Sequence, residues 1–402
     1  MGALTGLRIL DLSRILAGPT CTQLLGDLGA EVIKIENPNG GDDTRTWGPT
    51  YVKDTDGNPT DLSAYFMCAN RNKLSVAVDI RTAEGQATIK ALAAQCDIMI
   101  ENFKPGGLAK YGLDAATICA ADPSLIYCSI SGYGQTGPNA SKPGYDLMAQ
   151  GYGGMMSLTG EPDGEPMKVG VGIADVMCGM YATVGILAAL RHRDQTGEGQ
   201  HIDVALVDSQ VAWLINEGVT HLTTGKIPVR RGNGHPNIVP YQVFATSDGH
   251  VIIAVGNDTQ FQRYCSFLGL DIAQDPRFAT NVARIENRTE LLTHLVPAMA
   301  QHSTQDIITG LEAVQVPVGP VQTLDQVFGT DQVAARDMIA TVPRDDVENG
   351  AVRLIGNPLK LSKTPVTYRK APPRLGQDTA DVLGKLKSTD SFSTAKCRLK
   401  HL

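Results

Sequence analysis

Over residues 7–130 short, β-branched apolar runs alternate with helix-forming stretches, and this alternation restricts the chain to very few architectures. Leu7-Arg-Ile-Leu-Asp-Leu12 reads as a strand. Gly18-Pro19 then opens a helix through Leu28, with proline near the first helical position, where its missing N–H costs nothing. Gly29 stops that helix, and Glu31-Val-Ile-Lys-Ile-Glu36 is the next strand. A strand–helix–strand unit of this length makes the two strands parallel, with a right-handed crossover. The pattern repeats: strand 74–79, helix 83–94, strand 97–101, helix 108–121, strand 125–130. The expected fold class is α/β, an open, doubly wound, Rossmann-like parallel sheet whose ligand crevice lies at the strand carboxyl ends.

From Asp175 to Arg191 runs a helix that is apolar nearly all round and is therefore expected inside the protein. A strand at 200–206 and a helix at 209–222 follow. Residues 225–240 are dense in Gly, Pro, Arg and Asn and read as a connection or an active-site loop. Beyond it lies a smaller α+β unit with a strand at 250–255 and helices at 260–268, 288–302 and 305–314. Pro317-Val-Gly-Pro320 marks a second crossing; hairpin-like strands at 351–355 and 359–361 and a polar end close the chain. A chain of 402 residues is too long for one ordinary core. The expected organisation is a large domain beginning with 1–224, a small domain with linkers at 225–320, and a return to the large domain at 321–402.

The net charge of −7 offers no basic stripe for nucleic acid. No stretch of 18 apolar residues reads as a membrane span. The start, Met1-Gly-Ala-Leu-Thr-Gly-Leu7, lacks a basic region followed by an apolar one, and Lys400-His401-Leu402 is a poor peroxisomal address, so the cytoplasm is the expected compartment. Eight scattered cysteines form no CxxC pair; they read as reduced, mostly buried thiols, and no metal site is expected. No GxGxxG follows the first strand, whose turn is Ser13-Arg-Ile-Leu-Ala-Gly-Pro19, and no GxxxxGK[ST] occurs. The fold therefore comes without the signatures of nicotinamide or ATP binding.

A series of phrases runs in order along nearly the whole chain: Leu10-Asp-Leu-Ser-Arg-Ile-Leu-Ala-Gly-Pro19, Gly41-Asp-Asp-Thr-Arg-Thr-Trp47, Asn70-Arg-Asn-Lys73, Glu101-Asn-Phe103, Ser131-Gly-Tyr-Gly-Gln-Thr-Gly-Pro138, Gly144-Tyr-Asp146, Ala174-Asp175, Arg231-Gly-Asn233, Val318-Gly-Pro320 and Pro373-Arg-Leu-Gly-Gln377. Together they resemble the class III CoA-transferases. The resemblance implies that Asp175 is a nucleophile; on the residues alone it reads equally as a helix N-cap. A carboxylate that attacks a thioester splits CoA exchange into easier covalent steps, each passing through an oxyanion. Nothing is expected to be tightly bound: the acyl-CoA thioester is a substrate.

The resemblance places Arg14, Ile15, Leu16 and Ala17 beside the pantetheine and nucleophile, with Leu16 where some members have glutamine. Asn37 stands where formyl-CoA transferase has a nucleotide-contacting arginine. It further implies CoA contacts at Val78 and Arg81, at Asn102, Phe103 and Lys104, and at Lys110; basic residues suit phosphates, though each alone also reads as a surface charge. Gly232, Asn233 and Gly234 resemble a shortened form of the family's mobile glycine loop, or an interdomain turn. Tyr145 replaces the histidine that related α-methylacyl-CoA racemases use for proton transfer. An unperturbed phenol titrates near pH 10, about right for lining a site and poor for shuttling protons.

Gly41 to Pro49 and His235 to Gln242 are especially similar to the succinate–hydroxymethylglutarate (glutarate) branch. That implies succinyl-CoA as donor and a short dicarboxylate as acceptor, with Arg45, Arg231 and His235 as candidates for its distal carboxylate and Trp47 and the glycine turn nearby. A racemase-like isomerase and a catalytically silent acyl-CoA-binding homologue are the alternatives. The resemblance also implies an interlocked homodimer, whose threading suits the two glycine- and proline-rich crossings.

Overall fold

The computed structural model describes residues 1–389; Cys397 and the Lys400-His401-Leu402 ending lie outside them. The chain divides into two units, one of residues 1–155, 169–219 and 332 onward, the other of 156–168 and 220–331.

The first unit is built on β1 (Arg8–Asp11), α1 (Ala17–Asp27) and β2 (Glu31–Glu36), a short hairpin of β3 (Tyr51–Lys53) and β4 (Pro59–Ser63), and α2 (Ala64–Met67). β5 (Lys73–Ala77), α3 (Ala83–Ala93), β6 (Ile98–Glu101), α4 (Ala115–Ala121) and β7 (Ile126–Ser131) follow, then α5 (Asp146–Tyr152), α6 (Met155–Leu158, which runs on into the second unit), α7 (Ile173–Thr196), β8 (His201–Ala205), α8 (Leu206–Ala212) and α9 (Ile215–Thr224, whose last residues likewise belong to the second unit). Six strands form one parallel sheet in the order β5-β2-β1-β6-β7-β8. The order reverses between β1 and β6, which makes that gap the topological switch point where such sheets bind ligands.

Alternation along the strands splits the core into two layers. Ile9, Val32, Ile98, Ile126 and Cys128 face α1, α5, α7 and α8 on one side. Leu10, Ile33, Val76, Met99 and Tyr127 face α3, α4 and a later helix on the other. α1 and α7 cross closely because Gly179 has no side chain: a Cβ there would stand 2.5 Å from the Ala17 carbonyl oxygen. Among the described residues α7 alone is long and apolar enough to cross a membrane by length and composition, and half of that stretch is buried within the protein. The expected 108–121 helix is broken: a single 3-10 turn over Ala109–Tyr111 ends at Gly112, in the left-handed region at φ 63°, and α4 restarts under an Asp114 cap.

In the second unit β9 (Tyr241–Ala245), β10 (His250–Ala254) and β11 (Val318–Pro320) form an antiparallel sheet in the order β11-β10-β9. α10 (Asp258–Phe267), α11 (Asn281–Glu286), α12 (Arg288–Met299) and α13 (Thr304–Ala313) cover it around Phe244, Phe261, Tyr264 and Leu295, and α14 (Leu324–Phe328) follows. Segment 156–168, which the sequence pattern left with the first unit, is held here. Gly232 N–H donates to the Gly160 carbonyl (3.0 Å), and Arg230 donates to the carbonyls of Glu161 (3.1 Å) and Gly164 (2.7 Å).

After α15 (Asp331–Ala335) the chain forms a hairpin of β12 (Ile339–Pro343) and β13 (Ala351–Ile355) and ends in α16 (Thr379–Thr389). The partner of 351–355 is thus 339–343, and the expected strand at 359–361 does not form. Residues beyond 355 are drawn instead onto α1. Asp27 accepts from Arg71 (2.6 and 2.9 Å), Asn72 (2.8 Å) and Asn357 (2.9 Å), while Arg369 donates to the carbonyls of Gly26, Gly29 and Ala30.

Candidate active site

A cleft of about 780 Å³ opens at the carboxyl ends of β1, β2, β5, β6 and β7, within the first unit. Its size suits a large cofactor-like ligand. Arg14, Ile15, Leu16 and Ala17 enter it from the turn after β1, Asn37 from the end of β2, and Val78 and Arg81 from the end of β5. Asn102, Phe103, Lys104 and Lys110 come from beyond β6, Tyr145 from the segment before α5, and Asp175 from α7. The fold therefore brings together every residue expected to contact CoA and the expected nucleophile.

The turn after β1 is under strain, since Ile15 is a β-branched residue at φ 72°. It is held from two sides. Asn102 brackets Arg14, accepting from its N–H (2.9 Å) and donating to its carbonyl (2.7 Å). Asp42 accepts from the Ile15 N–H (3.2 Å) and is itself fixed by Lys34 Nζ (2.9 Å) and the Thr44 N–H (3.0 Å). Burial raises the Asp42 carboxyl, but the Lys34 charge and these donors outweigh it and bring it down to about 2. Asn102 thus spends both side-chain atoms on the loop. Asn102→Ala is expected to lower turnover at saturating acyl-CoA by about 10- to 100-fold, with little change in acyl-CoA binding; steady-state kinetics with equilibrium binding checks this.

Asp175 is the third residue of α7, whose N-cap is Gly172, so it is not the cap. The cap comes from α5: Asp146 Oδ1 accepts from the N–H groups of Ala174 (2.7 Å) and Asp175 (3.3 Å). Burial, and then the Asp146 charge, raise the Asp175 carboxyl from 3.8 to about 7. No histidine or cysteine lines the cleft among the described residues. Basic side chains lie along its rim. Arg14 pairs with Asp43 (2.7 Å) and stands over the Phe103 ring, Arg81 pairs with Asp79 (2.8 Å), and Lys104, Lys110 and Lys142 complete the set. Asn37 accepts from the Asn39 N–H, so its oxygen serves the local turn.

The residues expected near the acid divide differently. Arg45 is buried: it donates to both oxygens of Glu36 (2.8 Å each), to Asp61 (2.6 Å) and to the Pro373 carbonyl (3.0 Å), with its guanidinium 3.7 Å from the centre of the Phe66 ring. It is a structural residue with no face left for a substrate carboxylate. Trp47, 40 % exposed, packs edge-on against Tyr65 with ring centres 5.0 Å apart. Arg231, Gly232, Asn233, Gly234 and His235 belong to the second unit. There Gly232 is left-handed at φ 56°, a Cβ on it would stand 2.9 Å from the Glu161 carboxylate, and Arg288 donates to the His235 carbonyl (2.6 Å).

Tyr65 was not apparent in the sequence. Burial, then the charges of Asp175, Cys68 and Asp146, push its phenol up to about 12, so it lies within electrostatic reach of Asp175. Its position in the four-residue helix α2, straight after β4, carries no periodic signal.

The fold and cleft define an α/β protein with a basic, nucleotide-sized rim and one buried, basic carboxylate at the floor. The chain belongs to CoA-transferase family III, whose sequence profile matches residues 4–379, and it is a CoA-transferase. It is 45% identical over 392 residues to the succinate–glutarate CoA-transferase of Agrobacterium fabrum, covering 97% of each chain. It is 41% identical over 397 residues to the succinyl-CoA:glutarate CoA-transferase of Mus musculus, covering 98% of this chain and 89% of that one. A crystal structure of a CAIB/BAIF family protein from Brucella suis superposes with a TM-score of 0.86 at 46% identity, covering 96% of this chain and 99% of that chain.

Proposed function

We propose that this enzyme moves CoA from succinyl-CoA to glutarate or a similar short dicarboxylate through covalent intermediates on Asp175. The observation that carries this reading is the Asp175 carboxylate itself, made basic by burial on the floor of the cleft. Its oxygen attacks the thioester carbonyl, the C–S bond breaks, and CoA leaves as the thiolate, giving a mixed anhydride. The thiolate then attacks the aspartyl carbonyl and releases succinate. The acceptor acid reverses the sequence and leaves as its CoA thioester. Burial of Asp175 keeps water from the anhydride. The acceptor assignment rests on the similarity to the two glutarate enzymes.

A racemase has less support, because Tyr145 stands at the histidine position and is 56 % exposed. The intact Asp175 disfavours a silent binding homologue. A homodimer is supported by the apolar face that α7 presents through Met180, Tyr181, Val184 and Leu187, continued by Val211, Trp213 and Ile215. Light scattering tests it: a monomer counts against it.

The test of function is exchange followed by mass spectrometry, with succinyl-CoA and a panel of glutarate, hydroxymethylglutarate, itaconate, malate, oxalate and carnitine. Glutaryl-CoA formed with matched succinate release is the expected result; epimerisation of a 2-methylacyl-CoA without exchange would restore the racemase. Removing rim charge, as in Lys104→Ala or Lys110→Ala, is expected to raise the KM for succinyl-CoA about 3- to 10-fold with kcat retained, an effect that shrinks as salt rises.

A further inference from the structure

The amino terminus of α7 carries no cap of its own, yet it holds the nucleophile. Gly172 has no side chain to offer, and the two free N–H groups that matter, those of Ala174 and Asp175, both point to Asp146 Oδ1. The other oxygen, Asp146 Oδ2, accepts from Gln150 Nε2 (2.6 Å), and Gln150 Oε1 accepts from the Val169 N–H (2.9 Å). Gln150 is fully buried. A carboxylate fixed at both oxygens therefore stands against the backbone of a second carboxylate. Fixed N–H donors ordinarily favour an ionised acid near a helix start; here two of them are taken by Asp146, which returns negative charge in their place.

We propose that Asp146 is a positioning residue for acyl transfer: it orients Asp175 by capping α7, and its fixed negative charge keeps the nucleophile basic until acylation removes the repulsion. The proposal rests on the reading of Asp175 as the acylated residue. In the acylation step the Asp175 oxygen forms a bond to the acyl carbon, the carbon–sulfur bond breaks, and the negative charge departs with the CoA thiolate. The like-charge contact with Asp146 exists before that step and not after it. The other titratable groups around Asp175 place no such charge against it. The phenol of Tyr65 on α2 and the thiol of Cys178 on α7 are each pushed up to about 12, chiefly by burial, and stay neutral. α1 presents Ala17 and Cys21, and the Cys21 thiol, likewise raised by burial to about 12, is neutral as well. Asp208 of α8 is felt at Cys178, and Lys142 and Tyr145 line the same cleft.

The test is the rate of acyl-enzyme formation from succinyl-CoA alone, measured by rapid quench and intact-protein mass between pH 5 and 9, on the full-length enzyme. Wild type is expected to gain the acyl adduct with a rate that rises with pH to a plateau above about pH 7. Asp146→Asn is expected to move the midpoint of that rise to lower pH and to slow the plateau about tenfold. Asp146→Glu, which keeps the charge but displaces the cap, is expected to hold the wild-type midpoint and lose rate only. No adduct in wild type would overturn the assignment of Asp175 itself. An adduct in wild type with an unchanged midpoint in Asp146→Asn, or a midpoint in Asp146→Glu lowered as the amide's is expected to be, would overturn the role of Asp146 alone. If the amide variant does not fold, the glutamate variant decides.

Discussion

Asp175→Asn is expected to abolish CoA exchange, by about 10⁴-fold or more, and at the same time to make the folded protein more stable at and above neutral pH. The first effect follows from removing the carboxylate proposed to form the anhydride; the amide has no free charge with which to attack. The second follows from the cost of ionising a buried acid. The Asp175 carboxyl rises from 3.8 to about 7, first through burial and then through Asp146. At about 1.4 kcal/mol per tenfold change in proton affinity, keeping it ionised costs the fold on the order of 4 kcal/mol. The sign is that of an acid whose folded value is raised: between pH 4 and 7 the folded state holds the proton more tightly, so stability falls as pH rises through this window and is then flat. Glu101, also raised to about 7 chiefly by burial, contributes in the same direction and remains in the variant. Chemical denaturation at pH 5 and pH 8 measures this. The gain should be on the order of 2–4 kcal/mol at pH 8 and smaller at pH 5. No gain at pH 8 would mean that Asp175 is better solvated than the fold implies.

Arg45→Met is expected to cost about 3–5 kcal/mol of stability and to leave the KM of the remaining folded enzyme for its acceptor acid nearly unchanged. The side chain is only 2% exposed, and it neutralises Glu36 through a two-point contact while holding Asp61. Removing it strands the Glu36 carboxylate in the interior, where Ser75 (2.6 Å) also donates to it. It also releases the Pro373 carbonyl, so the C-terminal return loosens together with the 42–46 turn. Urea unfolding and acceptor kinetics separate the two outcomes. A folded variant of wild-type stability with a raised acceptor KM would return Arg45 to the substrate site.

These two residues show where the sequence is informative and where it is not. The alternation of short β-branched runs with helix-forming stretches set out the parallel sheet, whose strands, such as Glu31–Glu36 and Ile126–Ser131, are buried along almost their whole length. The proposed nucleophile stood out because Asp175 lies in the first turn of a strongly apolar helix inside a recognisable ordered series of phrases. What was not legible depends on contacts between distant segments. The charge partner of Arg45 at Asp61 and the cap that Asp146 provides for α7 have no spacing signature. A charged residue in a glycine-rich phrase looks the same whether it meets a substrate or a buried glutamate. The partner of 351–355 was misread for a similar reason. Segment 357–369 is held by the Asn357 side chain, which donates to Asp27, and by the Asn72 side chain, which accepts from the Arg369 N–H, and such bonds leave no mark on hydrophobic period.

The covalent reading is tested most directly by following oxygen. Turnover with glutarate labelled with ¹⁸O in its carboxyl groups, in ordinary water, should leave heavy oxygen in the Asp175 side chain. The labelled acid bonds through oxygen to the aspartyl carbonyl, and that oxygen stays behind when its acyl group departs on CoA. Peptide mass spectrometry after several turnovers should find the label confined to the peptide that contains Asp175. Sustained formation of glutaryl-CoA with no label in that peptide would contradict the mechanism.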